Sequence, residues 1–234
     1  MNPKPPPPPP PPRWPAPYSA AISFTMDNLG EAQDVLKGAW PHPIGTHPAV
    51  TDQLPRMLAL LDRHGVRATY FAEAWSLARV PGRRAGAGPA RGMRVAWHGF
   101  QHEVWRGLDE ARERESFERS CRGGGGVGGA AVDAFCYMEK FGGIRKEYGE
   151  REEVLSPEEL KQCLMDKIDD TVKTGGFMSI LFHPSLQTSE EKFEVMQDVL
   201  KRISEDGEIW VAPCKEVAEW MKEHPEVFEA KDSV

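Results

Sequence analysis

The sequence contains no hydrophobic run of the roughly 20 residues that a membrane helix needs. Its first residues are Met-Asn-Pro-Lys and then eight prolines (Pro5 to Pro12), without the apolar core of a secretory signal peptide. There are four cysteines in 234 residues, and no two of them form a Cys-x-x-Cys pair. These absences exclude a transmembrane helix and a zinc ribbon, and they predict a cytoplasmic protein with reduced thiols.

Positive charge is also scarce, because 29 Lys and Arg stand against 36 Asp and Glu, for a net charge of −7. One stretch, Arg79 to Arg94, holds five arginines and no acid, but it lies among glycine, alanine and proline. Nucleic-acid-binding proteins usually combine such a patch with aromatic residues or a known module. We therefore expect neither a nucleic acid nor a membrane as a partner.

Segments of biased composition divide the chain into parts. The proline-rich residues 1–17 predict a disordered, extended tail, which could be a spacer or could bind a proline-reading domain. Residues 18–228 are expected to form one domain with a glycine-rich joint at 122–130, and residues 229–234 a second disordered tail. The glycine run follows a charged helix and not a strand, so we expect no phosphate-binding loop there.

Short apolar runs alternate with segments of helical periodicity along the domain. The apolar runs predict strands at 20–26, 68–72, 93–97, 177–182 and 209–212. A leucine stripe from Leu54 to Leu61 predicts a helix that ends at Gly65, and Ser156-Pro-Glu-Glu159 has the pattern of a capping box that begins another. The alternation predicts an α/β fold with a parallel sheet, either open or closed into a barrel.

Polar residues follow three of these predicted strands. Asp27-Asn28 follows the first, His98-x-x-x-His102 the third, and His183 the strand at 177–182. Because the carboxyl ends of parallel strands share one edge, we expect the three groups to meet. Two histidines four residues apart and an oxygen ligand can hold a metal that acidifies a bound water. A carboxylate beside the metal could be a base, and a histidine across the site an acid.

Each of these groups also has a simpler explanation. Asp-Asn pairs are common in turns, two histidines four residues apart often occur by chance, and a histidine before Pro184 could be a core residue with satisfied hydrogen bonds. Three nearby tryptophans could stack on a sugar ring or pack in the core, and they are Trp75, Trp97 and Trp105. The common position at strand ends is what favours a metal-dependent hydrolase.

Four segments taken in order resemble a known family. They are Ser23-Phe-Thr-Met-Asp-Asn28, Arg67-Ala-Thr-Tyr-Phe71, His98-x-x-x-His102 and Ile180-Leu-Phe-His183. They are similar to the motifs of polysaccharide deacetylases of the NodB-homology type, metal-dependent carbohydrate esterases that include chitin deacetylases and have cyclic-amide hydrolases as relatives. Fungal intracellular members resemble this sequence most. The resemblance implies a distorted (β/α) barrel and hydrolysis of a non-peptide C–N bond in an N-acetylated sugar or related amide.

The resemblance also implies a role for each matching residue. Asp27 corresponds to the family's catalytic base and His183 to its general acid. Asn28, His98 and His102 correspond to the ligands of a divalent metal, which we expect to be zinc. Asn28 stands where the family usually has a second Asp, so this site has one negative charge fewer.

A second departure concerns the family's Arg-x-Pro motif, whose arginine orients the base. No Arg-x-Pro occurs between His102 and His183, and Arg122 and Arg145 are the nearby arginines that could replace it. We infer that a strand or two and their helices are missing, which would leave the barrel incomplete and the activity impaired. The alternative expectation is a catalytically inactive, deacetylase-like protein that acts by binding.

Overall fold

A computed structural model describes residues 12–27, 30–79, 93–101, 109–123, 136–138 and 155–228. Asn28, His102, Arg145, the tail at 229–234 and most of the glycine-rich joint lie outside these ranges. The strands are β1 (Ala20–Asp27), β2 (Thr69–Ala72), β3 (Arg94–Trp97), β4 (Cys136–Met138), β5 (Phe177–Phe182) and β6 (Ile209–Val211). The helices are α1 (Glu31–Leu36), α2 (Leu54–His64), α3 (Ala74–Arg79), α4 (Glu110–Gly123), α5 (Pro157–Thr174), α6 (Glu190–Glu205), α7 (Cys214–Glu223) and α8 (Pro225–Phe228).

All six strands belong to one parallel sheet, with β3-β2-β1-β5-β4 as its main order. On one side, β1 pairs with β5 from Ala21 to Met26. On its other side, Ala20–Ile22 pairs with β6 and Thr25–Asp27 pairs with β2. The predicted α/β fold with a parallel sheet is therefore confirmed. In the part of the chain that the structure describes, β3 and β4 do not pair, so the barrel is open there.

One face of the sheet carries the main hydrophobic core. Alternate residues of a strand point to opposite faces, and on β1 the residues Ile22, Phe24 and Met26 are completely buried in this core. Phe24 stacks on Phe182 of β5 with ring centroids 5.3 Å apart. Three helices cover this face with buried apolar residues, which include Leu54, Met57 and Leu61 of α2, Leu164 and Ile168 of α5, and Met196, Val199 and Leu200 of α6.

The opposite face of the sheet is lined by small polar residues that hydrogen-bond the backbone. The Ser23 hydroxyl donates to the carbonyl of Ala212 at 2.8 Å, and the Thr25 hydroxyl donates to that of Ile180 at 2.9 Å. Both side chains are completely buried. These bonds satisfy the buried hydroxyls, which would otherwise be costly to desolvate. The next residue of β1 on this face is Asp27.

The helix boundaries follow local signals in the sequence. The Ser156 hydroxyl and the Glu159 carboxylate form the predicted reciprocal capping box at the start of α5. Gly65 ends α2 and Gly175 ends α5, both with the positive φ that glycine tolerates best. A π-helical turn at Ala49–Gln53 leads directly into α2. Among the described helices, we find none with the length and hydrophobicity of a membrane span.

At Trp14 the structure differs from the predicted disordered tail at residues 1–17, of which it describes residues 12–17. The Trp14 side chain is only 1% exposed, and its indole Nε1 donates to the carbonyl of Gly175 at 2.9 Å. Its ring packs against three aromatic rings from distant parts of the chain, at centroid distances of 5.1 to 6.4 Å, and these belong to Phe177, Trp210 and Phe228. The proline-rich composition hid this anchor, because one large aromatic residue can bury as much surface as several small ones.

We predict that Trp14→Ala lowers the free energy of unfolding by about 3–5 kcal/mol, as expected when a large aromatic residue is removed from a core. Trp14→Phe keeps a ring but loses the hydrogen bond to Gly175, so the free energy of unfolding should fall less, by about 1 kcal/mol for the bond. Urea unfolding of the three proteins measures both values. Equal stability of the parent and Trp14→Ala would show that the segment is a tail after all.

Candidate active site

The Asp27 carboxylate lies between two imidazoles at the carboxyl end of the sheet. Its Oδ1 is 2.8 Å from His183 Nε2 and its Oδ2 is 3.1 Å from His98 Nε2. Asp27 is the last residue of β1, His98 directly follows β3, and His183 directly follows β5. The structure thus brings together three residues that are far apart in the sequence and that share only their position at the end of a strand.

Strand register explains why these three side chains meet. Thr25 of β1 pairs with Leu181 of β5, so Asp27 and His183 come next in register on the same face. The backbone N–H of His98 donates to the carbonyl of Ala72 at 3.0 Å, which extends the pairing of β2 with β3 by one residue. Each side chain is therefore placed by a continuous ladder of backbone hydrogen bonds.

Burial and mutual contact control the electrostatics of the cluster. The side chains of Asp27 and His183 are 13% and 8% exposed, whereas that of His98 is 31% exposed. Burial raises the pKa of Asp27, but hydrogen bonds and charge from His183 and His98 outweigh it, so the net pKa lies well below the usual range. Burial lowers the pKa of His98, but the contact with Asp27 and the charge of Glu73 raise it by more, so the net shift is upward.

Glu73 is a fourth polar residue at this edge, and the sequence pattern did not single it out. It directly follows β2 and its side chain is completely buried. Ser76 Oγ lies 3.3 Å from its Oε2, and its Oε1 accepts no hydrogen bond from another described residue. Burial raises the pKa of Glu73, and the charge of Asp27 raises it further. The charge of His98 lowers it, but the net shift is upward. Its position after a strand was the signal that could have identified it.

The residues predicted as metal ligands are described only in part. Of Asn28, His98 and His102, the structure describes His98 alone. Within the described ranges, no three His, Cys, Asp or Glu side chains surround a common point as metal ligands would. Oxygen and imidazole donors are nevertheless present together, since His98 Nε2 and Asp27 Oδ2 are 3.1 Å apart and the buried Oε1 of Glu73 has an open acceptor position. Such donors suit zinc and similar divalent ions.

The nearby tryptophans differ in what they can contact. Trp75 is 6% exposed and its backbone N–H donates to the carbonyl of Phe100 at 2.8 Å, so it packs in the interior and cannot stack on a ligand. The side chain of Trp97 and the whole of Trp105 lie outside the described part of the structure. Among the three tryptophans predicted as candidates for stacking on a sugar, Trp75 is therefore excluded.

Comparison with known proteins gives likeness in structure but not in sequence. No protein-family model and no curated protein matches the sequence. A protein from Mycobacterium smegmatis assigned to the polysaccharide deacetylases is 18% identical, with a TM-score of 0.69 over 91% of this chain and 93% of that chain. Puue allantoinase is 17% identical, with a TM-score of 0.70 over 93% of this chain and 95% of that chain.

A third similar structure is that of a protein from Pseudomonas aeruginosa, also assigned to the polysaccharide deacetylases. It is 19% identical, with a TM-score of 0.70 over 93% of this chain and 96% of that chain. Identities this low show a common fold and not a common activity. The chain therefore has the parallel α/β fold of the polysaccharide deacetylases.

Proposed function

We propose that this protein is a metal-dependent hydrolase of non-peptide C–N bonds, of the deacetylase type, acting on N-acetylated sugars or related amides. The observation that carries the proposal is the buried Asp27 carboxylate held between the imidazoles of His183 and His98 at the carboxyl end of a parallel sheet. Ligand sites of parallel α/β folds lie at this end. The activities named for the similar structures, polysaccharide deacetylation and that of an allantoinase, support the same reaction class.

Asp27 is suited to the role of general base. It ends β1 at the carboxyl edge of the sheet, where an oxygen of its carboxylate could accept a proton from a water placed between the two imidazoles. The two imidazoles hold both carboxylate oxygens in place, which limits the rotation of the side chain. A base fixed in this way can direct the water toward the amide carbonyl without first losing the entropy of being ordered.

His183 is suited to the role of general acid. Its Nε2 lies 2.8 Å from Asp27 Oδ1, so a protonated imidazole there would pair with the carboxylate and hold a proton beside the reaction site. When the C–N bond breaks, that proton goes to the departing amine, and the proton that Asp27 took from water replaces it. Water thus supplies both the hydroxyl of the new acid and, in net terms, the proton of the amine.

A divalent metal fits the donors at the edge of this site. His98, with Asn28 and His102, would hold it, and we take zinc as the first ion to test. When bound, the metal would supply positive charge that makes water more acidic and stabilises negative charge on the amide oxygen. Asn28 offers an amide oxygen and no charge, so the ion should bind more weakly than at a site with two aspartates.

The alternative function is that of an inactive, deacetylase-like binding protein. Among the described residues no arginine contacts the Asp27 carboxylate, whose contacts are the two histidines. This agrees with the absence of an Arg-x-Pro motif between His102 and His183. An enzyme without that arginine would depend on His183 and His98 to orient its base. If these two histidines do not hold Asp27 in a productive position, the protein is inactive and acts by binding.

A metal at His98 should be detectable through stability. We predict that zinc at about 100 times its dissociation constant raises the melting midpoint by about 5 °C or more, because binding to the native state alone stabilises it. The increase should be lost in a His98→Ala, His102→Ala double variant and kept in a His42→Ala, His64→Ala double variant. Differential scanning fluorimetry with and without zinc measures the shift, and equal shifts in both variants would contradict a site at His98.

Catalysis should depend on the charge of Asp27 and the proton of His183. We predict that Asp27→Asn and His183→Gln each lower kcat/KM on N-acetylglucosamine oligomers by about 100-fold or more. Asp198→Asn is the matched control, since Asp198 of α6 also pairs with a basic side chain, Lys161 Nζ of α5 at 2.7 Å, and it should keep full activity. Release of acetate measures the rates. A parent protein that releases none would contradict the proposed hydrolysis of N-acetylated sugars.

A further inference from the structure

We propose that Glu73 is an anionic partner of the metal centre, a buried carboxylate whose negative charge strengthens the binding of a divalent cation at His98. The inference deepens the proposed function and rests on it, because the proposed metal is the cation that Glu73 would serve. The ligands proposed for that metal, Asn28, His98 and His102, are all neutral side chains. Glu73 would therefore supply something that the ligands themselves do not, which is negative charge.

Strand register places Glu73 beside His98. Ala72 of β2 pairs with Trp97 of β3, and the residues that follow them are Glu73 and His98. The backbone N–H of His98 donates to the carbonyl of Ala72 at 3.0 Å, so the two chain segments are still paired at this point. Residues at the same register position of neighbouring strands project to the same face of a sheet. Glu73 and His98 are therefore neighbours at the carboxyl end of the sheet.

The contact between Asp27 and His98 spans the same strand. β2 lies between β1 and β3 in the sheet, and its residue Phe71 pairs with Asp27. Glu73 comes two residues after Phe71, which puts it on the face that carries Asp27. Since Asp27 Oδ2 and His98 Nε2 are 3.1 Å apart, their side chains meet across the end of β2, where Glu73 lies. The charges of both residues reach it, because that of His98 lowers its pKa and that of Asp27 raises it.

Burial leaves the Glu73 carboxylate short of compensating groups. The side chain is completely buried, and its Oε1 accepts no hydrogen bond from another described residue. Ser76 Oγ lies 3.3 Å from the other oxygen, Oε2. In the part of the chain that the structure describes, no lysine or arginine contributes to the pKa of Glu73. A buried carboxylate without a cation is costly, and a metal ion at His98 would offset that cost.

Capping of a helix explains only part of this arrangement. Glu73 directly precedes α3, and Ser76 is the third residue of that helix, so their contact resembles a capping interaction. The preferred capping residues are Ser, Thr, Asp and Asn, and a cap uses one acceptor atom near the helix end. Capping therefore accounts for Oε2 but not for the buried, unbonded Oε1 beside the histidine.

The charge balance of the site favours a second carboxylate. A divalent cation brings two positive charges, and its proposed ligands are neutral. Asp27 supplies one negative charge, which His183 and His98 already contact. Glu73 supplies another, so the two carboxylates together match the charge of the cation. Groups that tune a metal from beyond its direct ligands typically change its affinity by about 10- to 100-fold.

Calorimetric titration of the full chain with zinc tests the inference, with a competing chelator if binding is tight. Glu73→Gln keeps the shape of the side chain but removes its charge, and it should weaken zinc binding by about 10- to 100-fold. Without zinc, this variant should melt no lower than the parent, because the change removes a buried charge. Glu73→Asp keeps the charge and should retain more affinity than Glu73→Gln. The matched control is Glu216→Gln, which should leave zinc affinity unchanged, since Glu216 binds Arg67 before the start of β2.

Restoring a charge elsewhere separates an electrostatic role from a packing role. Asn28→Asp, combined with Glu73→Gln, returns one carboxylate to the proposed ligand set. The double variant should recover most of the lost zinc affinity, because the total charge of the site is again that of the parent. A capping or packing role for Glu73 predicts no such recovery.

Each outcome decides the inference. Four results would overturn it: equal zinc affinity of the parent and Glu73→Gln, no recovery with Asn28→Asp, a metal-free melting midpoint of Glu73→Gln well below that of the parent, or no zinc binding by the parent. If zinc binding depends on Glu73 but the parent releases no acetate from N-acetylglucosamine oligomers, the hydrolase proposal fails and the inference stands. If the zinc-loaded parent releases acetate but its zinc affinity does not depend on Glu73, the inference fails and the hydrolase proposal stands.

Discussion

The position of β1 in the sheet is the constraint on which both fold and site depend. β1 is paired along one edge with β5 and along the other with β6 and then β2, so it is buried on both edges and both faces. Such a strand needs apolar side chains toward the helices, and Ile22 and Phe24 supply them. Toward the other face it needs small side chains whose polar atoms are hydrogen-bonded within the protein, as that of Ser23 is. Its last residue, Asp27, then emerges among the ends of its neighbours. The same pairing that stabilises the sheet thus places a carboxylate between two imidazoles.

The carboxyl edge of the sheet concentrates polar groups that are costly to bury. Asp27 is stabilised there by His183 and His98, which together lower its pKa despite its burial. Glu73 has no comparable pairing with a lysine or arginine among the described residues, and burial dominates its upward pKa shift. The burial of Glu73 therefore reduces stability at neutral pH, whereas the lowered pKa of Asp27 adds to it. Groups with pKa values shifted in opposite directions, side by side in one site, are typical of acid–base catalysis.

Much of this architecture could be predicted from sequence because its signals are local. The apolar runs identified β1, β2, β3, β5 and β6, and the capping box of Ser156 and Glu159 identified the start of α5. The rule that polar residues after parallel strands converge selected Asp27, His98 and His183, which the structure brings together. Glu73 satisfies the same rule and was missed, because a single glutamate before a helix is also an ordinary helix start. The short helices α1 and α3 carry too few residues to show a period.

Local sequence was sufficient to determine which segments form strands and which polar residues end them, because these features depend on neighbours a few positions away. Tertiary contacts were needed to make Trp14 a core residue, since its partner Gly175 is 161 positions distant and no local pattern encodes that contact. They were also needed to bury Glu73 and to bring Gly30 against Ser185. Burial and proximity of this kind arise only when strands pair and helices pack. The free energy of those contacts depends on the whole sheet and not on any one segment.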